Sequence, residues 1–260
     1  MKSSQSRNGR QFWAARAGTG VLAAAVIGTV LLFVASSAAS PLTAKAASFS
    51  EKPPYAGTSN SNEFGQLSGS GGPLCGVTQK FPTTPFFNLT TGHANVSANA
   101  TSRSCGPGTS FASPEESAGV ATANFTTTSG LHHIKATWIL DFSVKLRATP
   151  GSASQSALAY ILITLQLYLF DATNFTVVTQ NNSPYLDYSI SSGTFDHNFN
   201  KITETLFLNA TLVSGHEYSL ATNVYLNAYA GASPGHSSAF ATGNMGSGGR
   251  SAYLSSLSGL

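Results

Sequence analysis

The chain has 260 residues and a formal net charge of +3, yet only 9% of its residues are charged. Five of the thirteen basic residues precede residue 47 and all ten acidic ones follow it, so the remainder carries about −2. That distribution leaves no basic stripe for nucleic acid, and a surface solvated by hydroxyls and amides rather than ions argues against a cytosolic protein.

Lys2, Arg7, Arg10 and Arg16 are followed by a stretch without charge that reaches Lys45. Its core from Val21, VLAAAVIGTVLLFVASSAA, is apolar and helix-compatible, and about nineteen residues would span roughly 28 Å, close to a bilayer core. The cationic flank directs the rest of the chain outward. Two fates fit these residues: cleavage after the small-x-small pattern Ala44-Lys45-Ala46, or retention as a single N-terminal hydrophobic helix that makes the membrane a partner. Residues 1–46 are therefore expected to be a signal peptide or anchor. Residues 47–73, rich in Ser, Gly, Asn and Pro, read as a flexible linker, and 74–260 as one domain with a Gly/Ser-rich C-terminal part.

Cys75 and Cys105 are the two cysteines of the chain. In an oxidising compartment they are expected to pair, which would stabilise the fold by about 3 to 4 kcal/mol through the unfolded state; two free thiols are the alternative.

Alternation then dominates. Ala136, Trp138, Leu140, Phe142, Val144 and Leu146 alternate with Lys135, Thr137, Asp141, Ser143, Lys145 and Arg147, the pattern of a half-buried strand. Ala157 to Phe170 is apolar on one side and largely so on the other, and its β-branched and aromatic content predicts a long central strand. Further strands are expected over Phe175 to Gln180, around Ile202 to Leu212, around Tyr218 to Ala228, and more weakly over Phe86 to Leu89, Ala94 to Ala100 and Val120 to Thr127. The total is about eight to ten strands with no convincing helix beyond the leader, which predicts an all-β fold, a β-sandwich of immunoglobulin-like or jelly-roll type. Leu212-x-x-Gly215-x-x-Tyr218 resembles the corner of immunoglobulin-like and fibronectin type III sandwiches, which implies a tyrosine hydroxyl bonded back across the turn. Gly215 makes that segment a hairpin or a corner.

Asn88, Asn95, Asn99, Asn124, Asn174, Asn181 and Asn209 each begin an N-x-[ST] sequon and are candidate glycosylation sites. The residues offer little catalytic chemistry. Gly231-Ala-Ser233-Pro-Gly235 has the spacing of a nucleophile elbow, but Pro234 lacks the N–H that would hold an oxyanion. Asp196-x-Asn198-x-Asn200 has the oxygen spacing of a calcium loop, but Lys201 and Phe207 stand where glycine and glutamate belong. His132-His133 and His216-Glu217 are adjacent pairs whose members face opposite sides of a strand, so no metal or cofactor is assigned. Glu204 is the oddest carboxylate, interrupting an otherwise apolar face. Phe207, Tyr225 and Tyr229, on the outward faces of two strands taken as neighbours, are the candidate ligand face, since aromatic rings on a sheet can stack on sugars.

The expected function is that of an exported, non-catalytic β-sandwich, secreted or at the cell surface, with a structural or adhesion role towards glycans or other surface proteins. A carbohydrate-binding module using the aromatic face is the alternative, and a secreted hydrolase with two convergent carboxylates a third.

Overall fold

The computed structural model describes residues 49–69 and 76–259. Among them are fifteen strands and no helix: β1 (Phe49–Glu51), β2 (Gly57–Gly69), β3 (Val77–Lys80), β4 (Phe86–Phe87), β5 (His93–Asn95), β6 (Ser97–Arg103), β7 (Ser110–Thr122), β8 (Phe125–Thr126), β9 (Gly130–Thr149), β10 (Ala157–Asp171), β11 (Thr176–Ile190), β12 (Gly193–Leu212), β13 (Glu217–Ala232), β14 (Ser238–Asn244) and β15 (Ala252–Gly259). The leader and Cys75 lie outside the described residues, and no described cysteine is a free thiol.

Two antiparallel sheets form a β-sandwich, as the alternation predicts. The six-stranded sheet runs β11-β10-β13-β7-β2, with β8 on β13; the nine-stranded sheet is organised by β9. One edge of β9 pairs with β12 along nearly its whole length, and the other is shared end to end by β14 and β15, which lead on to β6 and β3 and to β5, β4 and β1. The core lies between the sheets. From β9 come Ile134, Trp138, Leu140, Phe142, Val144 and Leu146, and facing them are Ile161, Ile163, Leu165, Leu167 and Leu169 of β10 with Leu220, Val224 and Leu226 of β13. Each fully buried large side chain contributes about 1.5 to 3 kcal/mol. Thr222 falls among these apolar residues for a reason: its Oγ1 accepts from Trp138 Nε1 at 3.0 Å and donates to the Gln166 carbonyl at 2.8 Å. The buried indole thereby keeps a partner across the sandwich.

β10 is central, between β11 and β13, as its two largely apolar faces predict. The corner after β12 is present too. Gly215 takes φ +88°, and the Tyr218 hydroxyl accepts from Val213 N–H at 2.9 Å and lies 3.4 Å from the Val213 carbonyl. This corner carries the chain from the nine-stranded sheet into the six-stranded one, so β12 and β13 are not paired neighbours. A second correction concerns residues 47–73: Gly57–Gly69 is no linker but strand β2, paired with β7 along thirteen residues. An outermost strand of Ser, Asn and Gly suffices there because the β7 backbone, not a hydrophobic face, supplies its partners.

Candidate functional site

Side chains alternate along a strand, so the residues between the core positions of β11, β10, β13, β7 and β2 share the face turned away from the nine-stranded sheet. The register sets them in rows. One row reads Asn182, Gln166, Asn223, Gly119, Asn60, the next Pro184, Thr164, Tyr225, Ser117, Asn62, and the next Asp187, Leu162, Asn227, Glu115, Phe64. Beyond them Tyr160 pairs with Tyr229, and Phe111 with Gly231.

Polar side chains at the centre of this face are buried as deeply as a core, with Asn223 2%, Gln166 6% and Glu115 6% exposed. Their mutual bonding is incomplete. Asn227 Nδ2 donates to Glu115 Oε1 at 3.1 Å and to Ser113 Oγ at 2.9 Å. Glu115 Oε2, both amide atoms of Asn223 and the Tyr168 hydroxyl have no hydrogen-bond partner. Burial pushes the Glu115 carboxyl up, opposed by the Tyr225 phenol and the Asn227 amide; Tyr225 comes close enough to be felt, yet Oε2 stays without a hydrogen bond. Burial likewise raises Tyr225, with the Glu115 charge adding to it, and takes Tyr168 up to about 12, so these phenols are neutral donors at ordinary pH.

At one end of the face Phe111 and Tyr229 lie nearly parallel, 17° between planes and 6.0 Å between ring centroids. Gly231 makes this arrangement available. A Cβ there would stand 2.8 Å from the Tyr229 hydroxyl oxygen, so the absent side chain is the space in which the ring lies along its own strand. No Lys, Arg or His occurs in the outward set of these five strands, whose acids are Glu115, Asp187 and, at the far end of β13, Glu217.

The three aromatics expected to form one ligand face are divided. Tyr225 and Tyr229 belong to this surface, but Phe207 sits on the opposite side of the sandwich, 61% exposed on β12 with Lys135 Nζ 5.9 Å from its ring. The corner at Gly215 is the reason. Glu115, Asn223 and Gln166 were not singled out from the sequence, although the mix of Tyr, Thr and Gln on the second side of β10 was a signal that this side differs in chemistry from the apolar core.

The remaining candidates have structural partners. Ser233 Oγ accepts from Ser156 N–H at 2.7 Å, closing a turn rather than an active site. Asp196 pairs with Lys145 at 3.1 Å on exposed β12, Asp141 with Arg250 at 3.1 Å, and Asp171 with His216 at 2.8 Å. Glu204 lies on the inward side of β12 opposite Trp138, half-buried. Of the sequons, Asn88 and Asn209 are exposed and Asn95 and Asn99 half-buried. The amide nitrogens of Asn124, Asn174 and Asn181 are committed to Glu217, Asp171 and the Phe207 carbonyl respectively.

No protein-family model matches the chain, and no curated protein matches it. Solved structures that the chain matches include the Endo-D glycoside hydrolase domain of Streptococcus pneumoniae R6, at 5% identity and TM-score 0.23, covering 76% of this chain and 21% of that one. The chain thus spans about a fifth of that structure's length. TmCBM61 in complex with beta-1,4-galactotriose is similar at 9% identity and TM-score 0.17, covering 73% of this chain and 86% of that one. The CBM22-1 xylan-binding domain of Paenibacillus barcinonensis Xyn10C gives 9% identity and TM-score 0.17 over 77% and 97% of the two chains. Superpositions this loose assign neither ligand nor activity, which must come from the side chains themselves.

Proposed function

We propose that the chain is an exported, non-catalytic glycan-binding protein that takes its ligand on the outer face of the six-stranded sheet. The Phe111–Tyr229 pair carries this reading: two near-parallel rings, given room by Gly231, beside rows of amides and hydroxyls. Aromatic faces stack on the apolar faces of sugar rings while amides and phenols bond the hydroxyls at their edges. Catalysis is disfavoured by the spacing of the acids. Glu115 and Asp187 stand on strands three spacings apart, about 14 Å between backbones, and Glu217 lies about 33 Å along β13 from their row, whereas glycoside hydrolysis uses carboxyls about 5 to 10 Å apart.

Export rests on the cationic and apolar leader, which fits either cleavage near Ala46 or a retained membrane anchor. A Cys75–Cys105 disulfide and glycans on exposed Asn88 and Asn209 belong to the same reading, and either a released or a tethered domain could hold glycans at a cell surface. A glycan array probed with the domain tests it. Binding that is weakened about tenfold or more by Phe111→Ala or Tyr229→Ala, and unchanged by Phe207→Ala, is the expected result. A domain that binds no glycan at all would leave an adhesion or structural role towards protein partners.

A further inference from the structure

Resting on the glycan-binding reading, we infer that the ligand is an uncharged polysaccharide chain that runs along β13 from the Phe111–Tyr229 platform to Asn223, with Glu115 as an intermediate hydrogen-bonding station. Three observations on this face converge. Asn223, although 2% exposed, has neither its amide oxygen nor its amide nitrogen bonded, and Glu115 Oε2 is equally without a partner. A buried unpaired polar atom is costly, on the order of 1 to 3 kcal/mol, and a hydroxyl-bearing ligand in the neighbouring rows is the chemistry that relieves it. An amide asks for one donor and one acceptor, which a sugar hydroxyl supplies together.

The charge of the ligand follows from what the face lacks. No cation lies among the outward residues to pair with a carboxylate or sulfate, and the ionisable side chains there, Glu115, Asp187 and Glu217, are all acids. An anionic chain would lose its hydration with nothing in exchange. Its length follows from the register. Tyr229 and Asn223 lie six residues apart on one strand, about 20 Å, so a ligand touching both is a chain of several units.

Affinity electrophoresis of the intact domain separates the outcomes. The gels contain hydroxyethylcellulose, xylan, galactan or laminarin as neutral polymers, and carboxymethylcellulose or polygalacturonate as anionic ones. Retardation by at least one neutral polymer, none by the anionic two, and no relief by glucose, xylose or galactose in large excess is the expected pattern. Asn223→Ala should weaken the binding about tenfold without lowering the melting temperature, because its side chain makes no bond within the protein. Should that variant unfold early, Asn223→Ser, which keeps a polar group of shorter reach, carries the same comparison. Retardation by the anionic polymers alone overturns the neutral-ligand inference while glycan binding stands. Relief by a monosaccharide overturns the extended chain, and unchanged binding by a stable Asn223 variant removes that residue from the path. Retardation by no polymer overturns both this inference and the glycan-binding reading.

Discussion

Trp138 and Thr222 show how single polar atoms are handled in this sandwich. The indole N–H is carried into the core by a strand whose other inward residues are apolar, and its bond to Thr222 Oγ1 is what makes that burial affordable. Thr222→Val keeps the shape and removes the acceptor, leaving both Trp138 Nε1 and the Gln166 carbonyl short of a partner. A loss of about 1 to 3 kcal/mol is expected, read as a lower urea midpoint at unchanged slope. The Tyr218 corner is a parallel case in which a pattern of three residues was enough, because the whole arrangement is local in sequence. Asn223 is the contrary case. Nothing around it in the sequence marks a side chain that is buried yet unbonded, since both properties depend on strands far away in the chain.

Among the elements, β7 and β13 approach unusually closely at Gly119, where a Cβ would collide with the Thr222 carbonyl oxygen and the Asn223 side chain. Backbone cannot yield as a flexible side chain does, so Gly119→Ala should destabilise by about 1 to 3 kcal/mol, measured by thermal unfolding, and should also disturb Asn223. The strands differ in how well their residues announce them. β9 and β10 are long, strongly patterned and correctly anticipated, because their alternation mirrors burial on one or both sides. β2 is not, because an outermost strand held by backbone bonds needs no apolar pattern, and Ser/Asn/Gly composition is shared with loops. Composition reported the solvent exposure of that segment and was silent on its hydrogen bonding.

For the molecule as a whole, buried acids set an uncommon pH response. Glu116 lies on the inward side of β7 and accepts from the Ser97 N–H at the start of β6, joining the two sheets. Burial, assisted by the charge of Glu63 and opposed by the Ser97 bond, raises its pKa to about 8. Burial takes Glu51 to about 7. A folded-state pKa above the unfolded value means that the folded protein binds the proton more tightly. The stability it brings is complete below pH 4.5 and is lost as pH rises through about 7 for Glu51 and about 8 for Glu116. Urea midpoints should therefore fall between pH 5 and pH 9, and Glu116→Gln should flatten the upper part of that decline. A midpoint that rises across this range would show that the exposed acids outweigh the buried ones.

The fold class, the position of the long core strands and the corner at Tyr218 are all legible in the order of the residues, since alternation and a short turn pattern are properties of neighbouring residues. That order also indicated Tyr225 and Tyr229 as aromatic residues facing away from the core. Which residues share a surface depends on how distant strands pair. The turn at Gly215 sends Phe207 to one sheet and the tyrosines to the other, while strand register brings Glu115, Gln166 and Asn223 beside them from three separate segments. Face assignment is local, but company on a face is set by pairing between distant strands, and no periodicity encodes that.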